Sequence, residues 1–119
     1  MSEKHPGSGD ESERERIDRL YDVLSHERRR FVLRSLLDHR TLALADLAEL
    51  VAERNHDVDF PDVPEEAVLR IYATLHHNHL PKLAEAGLVT YDEEGELVSL
   101  SAADQRAHVE TLLSVVGPE

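Results

Sequence analysis

Residues 65–87 read EEAVLRIYATLHHNHLPKLAEAG, and the stretch runs directly into LVTYDEEGELVSL at 88–100. At about 100° per residue, Val68, Leu69, Tyr72, Leu75, Leu80 and Leu83 gather on one side of a helix, as a buried face requires. The other side displays Arg70, Thr74, His77 and Asn78, with Pro81 continuing the row and Lys82 at its edge. Gly87 is suited to a left-handed helix stop. Beyond it, 88–91 and 97–100 are apolar segments around Asp92, Glu93, Glu94, Gly95 and Glu96, the pattern of a hairpin with a solvated tip. One long helix that buries its back and shows a row of hydrogen-bonding side chains is the element around which the rest must pack.

Pro81 interrupts that reading. A proline inside a helix has no N–H to donate, and its ring meets the carbonyl four residues back, at a cost of about 3 kcal/mol. Either the helix continues with a kink, or it breaks and restarts with Asn78 as cap and Pro81 in a new first turn. The stripe keeps its phase from Leu75 to Leu83, so the kinked, continuous helix is the expectation. Pro64 suits the opening of the helix.

Upstream, residues 1–12 are polar, with Pro6, Gly7 and Gly9, and read as a disordered acidic tail ahead of a single domain at 13–117. Ile17, Leu20, Tyr21 and Leu24 give a first helix from Glu13 its buried side. Ser25 is placed to cap a second helix at 26–39, which buries Phe31, Val32, Leu33 and Leu36. Arg28, Arg29 and Arg30 fan over about 200° of that helix. They read either as a solvated face paired with Asp and Glu or, for one or two of them, as phosphate contacts. Residues 40–43 suit a short strand. Leu44, Leu47, Ala48 and Val51 give a helix over 44–54, with Asn55 as its stop. The loop at 55–64 offers Val58, Phe60 and Val63 to the core. Ser101 and Asp104 resemble a capping box for a last helix at about 102–116. A small domain need not cover all of that helix's apolar Val109, Leu112, Leu113 and Val116, so these, alone or together with the 13–24 helix, are expected to form a homodimer interface.

The 119 residues include 25 Asp and Glu against 13 Lys and Arg, for a formal net charge of −12. Such a surface opposes nucleic acid in dilute salt, because phosphate neutralisation drives that binding. It is also what a cytoplasm of molar salt favours, where the Debye length is about 3 Å. There is no cysteine, which removes disulfides, thiolate metal sites and thiol nucleophiles. No apolar run reaches the roughly 18 residues of a membrane span, and the first residues do not resemble a signal peptide. A cytoplasmic protein with no membrane partner is expected. No phosphate-binding glycine loop and no triad spacing are present, so no enzyme and no cofactor are expected. His76 and His77 diverge by about 100° on a helix. His76 and His79 could share one face at i, i+3, but both lie near the apolar stripe. With no cysteine beside them, the histidines read as partly buried, hydrogen-bonded rings, and no metal site is expected.

The order helix, helix, short strand, helix, long helix, hairpin, helix is mainly α and matches a winged helix-turn-helix with an added C-terminal helix. LSHERRRFVLRSLLDH at 24–39, LALADLAELV at 42–51 and HLPKLAEAGLVTYD at 79–92 resemble segments of arsenical-repressor-type (ArsR-like) winged helices. The proline, the RRRFVL segment and the acidity look most like a haloarchaeal winged-helix family. The resemblance implies a transcriptional regulator that reads double-stranded DNA with the 65–86 helix through Arg70, Thr74, His77, Asn78 and Lys82. The acidic wing and the net charge support a second reading, a winged-helix protein–protein interaction module that does not bind DNA.

Overall fold

Apolar spacing sets the elements, and their order follows the sequence expectation closely. A computed structural model describes residues 4–57, 61–101 and 105–116, with the side chains of 4–12 and 105 outside that description. Along the chain come α1 (Lys4–Leu24), α2 (Glu27–His39), β1 (Thr41–Ala43), α3 (Leu44–His56) and α4 (Glu65–Thr74). A π turn (Leu75–His79), α5 (Leu80–Glu85), β2 (Val89–Asp92), β3 (Leu97–Leu100) and α6 (Gln105–Val116) complete it. The fold is mainly helical with a small antiparallel sheet ordered β1-β3-β2, in which Thr41 lies opposite Ser99 and Tyr91 opposite Val98. The expected placements of Val58 and Phe60 and of Asp104 in the capping box lie outside the described residues.

The core is aliphatic. Val32, Leu33 and Leu36 of α2 meet Leu44, Leu47, Ala48 and Val51 of α3, and Ile71, Leu75, Leu80 and Leu83 of the long helix close over them. Val63 enters from the loop, as the sequence predicts. Phe31 is only half-buried, and the Arg54 guanidinium lies 4.9 Å above its ring while bonding Glu27 at 3.1 Å.

Several boundaries are set by contacts from far along the chain. Ser25 does not cap α2; its hydroxyl donates to the carbonyl of Asp22 at 2.7 Å and closes α1 instead. The uncapped start of α3 at Leu44 is satisfied by the hairpin, because the Leu44 N–H donates to the Glu96 carbonyl at 2.8 Å. That helix runs past Asn55 and stops where Asp57 turns left-handed at φ 55°. Gly87 ends α5 at φ 79°, with the Leu88 N–H donating to the Leu83 carbonyl at 3.0 Å, a Schellman closure that favours glycine. Only Arg40 separates α2 from β1, and it makes the reversal at φ 69°, ψ −59°. These angles belong to the rare, strained γ-turn, a conformation that costs a non-glycine residue about 1–3 kcal/mol.

Three expectations about the terminal helices need correction. α1 begins at Lys4 rather than Glu13. Its C-terminal end, Val23 and Leu24, enters the core, while Ile17 and Tyr21 are exposed and Leu20 is half-buried. On α6, Val109 and Leu113 are buried against their own chain, where α6 packs on α1 and α2, so they cannot serve as a free dimer surface. Leu112 and Val116 are half-buried, and Val115 is exposed.

Candidate nucleic-acid interface

The long helix is one continuous rod of three parts, and its middle is neither a simple kink nor a break. At Leu80 the N–H donates to the carbonyl of Leu75, five residues back, which is the bond of a π turn. Widening the helix here gives the Pro81 ring room against the preceding turn. It also inserts one residue, which rotates everything downstream back by about 100°. Leu80 and Leu83 are thereby brought over Ile71 and Leu75, and all four are buried. The stripe before the turn is accordingly Ala67, Ile71 and Leu75. Leu69, expected in the stripe, is 61% exposed, and Val68 and Tyr72 are half-buried at its edge.

The same rotation carries Lys82 toward the line of Arg70 and Thr74. Arg70, His77, Asn78 and Lys82 are exposed. Thr74 is half-buried, with its hydroxyl donating to the Arg70 carbonyl at 2.9 Å, so it can only accept from an outside donor. Arg70 and Thr74 border a cleft of about 330 Å³ that they share with Arg28 of α2 and with Asn55 and His56 at the end of α3. Arg28 is therefore the arginine of the consecutive run that joins the displayed row. Asn55 and His56 join it too, where the sequence expects Asn55 only as a helix stop and His56 only as part of the 55–64 loop.

Arg29, beside it, does something different. It is 3% exposed, and its Nε–H donates to Nδ1 of His79 at 3.0 Å. Its Nη2 donates more weakly to Oδ1 of Asn78 at 3.4 Å. His79 is 6% exposed, and the His26 ring lies 6.0 Å from it. This guanidinium ties the start of α2 to the π turn. Because Nδ1 accepts, the ring proton belongs on Nε2, an assignment made from the geometry. Burial first, then the charges of Arg29, Arg28 and His26, pull the His79 pKa down to about 4.

The consequence for stability has a definite sign. The unfolded ring titrates near 6.5 and the folded one near 4. Between those values the unfolded chain binds more protons, so this contribution is whole above about 6.5 and is lost as pH falls toward 4. The expected loss is about 2–3 kcal/mol, at about 1.4 kcal/mol per pH unit. Chemical unfolding across that range checks it: a His79→Gln variant should show a shallower decline than the wild type, and parallel declines would contradict the assignment.

The hairpin is pinned to the rod by Glu96. Its carboxylate accepts from the Tyr72 hydroxyl at 2.7 Å, which raises the tyrosine pKa, and its own backbone is left-handed at φ 54°. The tip, Asp92 to Glu96, is exposed and acidic, with no basic side chain. Between rod and hairpin lies a second cleft, of about 610 Å³, bordered by His76, His77, Pro81, Thr90 and Tyr91. His76 rests edge-on against Tyr91 at 5.9 Å, and His79 is committed to Arg29, so these histidines do not converge on one point.

Residues 21–99 match the domain of unknown function DUF7344. The chain belongs to that family. No curated protein and no solved structure matches it. The DUF7344 match takes in the end of α1 through β3, and with them the rod, the hairpin, Arg28 and Arg29. It leaves out α6 and most of α1, so of the exposed apolar residues on those helices Tyr21 falls inside the DUF7344 segment and Ile17 and Val115 fall outside it.

Proposed function

We propose that the chain is a winged-helix regulator of transcription that inserts the exposed face of the 65–86 rod into the major groove of double-stranded DNA. The observation that carries this reading is the row Arg70, His77, Asn78 and Lys82, exposed along one rod with Arg28 in the adjoining cleft. In a chain of net charge −12, cations gathered on one helical face are out of keeping with the average surface. The rod followed by the β2–β3 hairpin has the order that a recognition helix and wing would take, and the acidic tip would leave the rod with most of the contact. Arg pairs with guanine or phosphate and His and Lys with phosphate or base edges. A second reading, a protein-interaction module, is favoured by that same acidic tip and by the cleft between rod and hairpin. Selection of bound fragments from a genomic DNA pool in molar potassium chloride tests the first reading. The wild type should enrich discrete sites and the Arg70→Ala, Lys82→Ala double variant should not. Equal enrichment by both, or none by the wild type, favours the second.

A homodimer completes the proposal. Exposed Ile17, Tyr21 and Val115, with half-buried Leu20, Leu112 and Val116, form the apolar surface of α1 and α6, two helices that pack together. This surface replaces the Val109 and Leu113 contacts expected from sequence. Two copies joined there would present two rods, and half-sites one helical turn apart require about 34 Å between them. In sedimentation equilibrium a Tyr21→Glu, Val115→Glu variant should stay folded and lose the dimer, with at least about a tenfold weaker association, since two exposed apolar side chains are replaced by charge.

A further inference from the structure

A cleft of about 360 Å³ opens between the end of α2, the edge strand β1, the end of β3 and the start of α6. Its charged lining is Arg40 and Arg106, and its polar lining is the hydroxyls of Thr41, Ser99 and Ser101. Half-buried Leu100 supplies an apolar floor, with the fully buried Leu36 behind it. Among the described residues no carboxylate borders it, in a chain with 25 acidic and 13 basic residues. Neither guanidinium meets a carboxylate among the described residues. An unneutralised pair of arginines in a concave site with hydroxyl donors is matched to an oxyanion, which a guanidinium grips with two parallel hydrogen bonds.

The backbone adds an independent observation. Arg40 holds φ 69°, ψ −59°, a region that glycine occupies without penalty and arginine does not. The fold needs only the reversal between α2 and β1, and glycine would make it with less strain. A long cation at a position that argues against any side chain breaks a local rule with no gain in packing, since Arg40 is exposed. The gain is accounted for if the strained turn aims the guanidinium at a ligand.

We infer that this cleft is a binding site for a small organic oxyanion, with Arg40 and Arg106 holding the charged head, the hydroxyls of Thr41, Ser99 and Ser101 completing its hydrogen bonds, and the half-buried Leu100 meeting the body. The site stands whether or not the rod reads DNA. The volume admits a ligand at the small end of metabolite pockets, and carboxylate and phosphate share the chemistry that the arginines recognise.

Thermal unfolding in potassium chloride at fixed total ionic strength, with added inorganic phosphate or succinate in separate arms, tests it. At least one anion should raise the wild-type melting temperature saturably by several degrees, and the arm that does so identifies the head group. Arg106→Gln should weaken that response roughly tenfold or more. Arg40→Gly should keep or raise the ligand-free melting temperature, because the strain is gone, and should lose the anion response. A flat wild-type response to both anions overturns the assignment. So does a response that survives in both variants, which would be general salt stabilisation, or a ligand-free melting temperature that falls in Arg40→Gly, which would make Arg40 a residue of the fold alone.

Discussion

Replacing His79 with leucine should destabilise the domain by about 3 kcal/mol or more, because it leaves the Arg29 Nε–H without an acceptor where the guanidinium is 3% exposed. What remains to Arg29 is the long bond to Asn78 at 3.4 Å and the field of Asp22, neither of which replaces the contact at 3.0 Å. For a domain of this size the melting temperature should fall on the order of 10–15 °C. Arg29→Met alone is milder. It leaves the Nδ1 acceptor of His79 unsatisfied, at about 1–3 kcal/mol, and removes a buried charge at the same time. The double variant should then be less destabilised than the two single losses combined, with a coupling of about 1–3 kcal/mol. Denaturant unfolding of the four proteins measures it. Strict additivity would mean that the bond between α2 and the π turn contributes nothing, and the rod would have to be positioned by its aliphatic face alone. The coupled outcome links this pair to the displayed row. Asn78 and His79 are held by one guanidinium, so the turn that swings Lys82 into line with Arg70 is anchored from α2.

How much of this was legible beforehand depends on the range of the interaction. Leu75, Leu80 and Leu83 are legible as core because each is a leucine in a helical stretch, and the strands expected at 88–91 and 97–100 from their flanking turn residues are found at 89–92 and 97–100. Ile71 was overlooked and Leu69 placed inside because the wheel assumed an unbroken period of about 3.6, and the inserted residue of the π turn shifts the phase partway along. A signal for it existed: Pro81 forbids the regular bond, and Ile71 and Leu80 cannot share a face without one added residue. The buried, hydrogen-bonded ring expected of the histidines is found at His79 while His77 is exposed, and the donor lies fifty residues upstream, where Arg29 is one of three consecutive arginines with nothing local to distinguish it. The start of α3 is a similar case. It lacks a capping side chain, and its N–H is met by the carbonyl of Glu96, a partner no local pattern announces. The α6 stripe shows the reverse error. Val109 and Leu113 were assigned to a partner because the core was judged too small for them, and α1 and α2 cover them instead.

Loss of Arg70 and Lys82 together should lower DNA affinity by about ten- to a hundredfold and flatten its salt dependence, if the rod lies in the groove as proposed. Each cation that neutralises a phosphate contributes about −0.9 to the slope of log K against log salt, so the double variant should be shallower by about 2 per protomer. The slope is the better discriminator here. At molar salt the electrostatic share of affinity is already small, and a fall in affinity alone could come from a disturbed fold. Asn78 needs separate handling. An asparagine that reads adenine uses both its amide N–H and its carbonyl oxygen, and here Oδ1 accepts from Arg29. Asn78 must therefore either release Arg29 on binding or contribute only its N–H donors. Asn78→Ala would mix lost recognition with a loosened π turn, whereas Arg70 and Lys82 have no bond to the clamp, so their removal should leave unfolding unchanged within about 0.5 kcal/mol. Fluorescence titration of a labelled duplex at several potassium chloride concentrations gives both affinity and slope. If the double variant binds with the wild-type slope, the rod touches no phosphate. The acidic hairpin and the cleft beside it would then be the surface to pursue, with a basic protein rather than a nucleic acid as its partner.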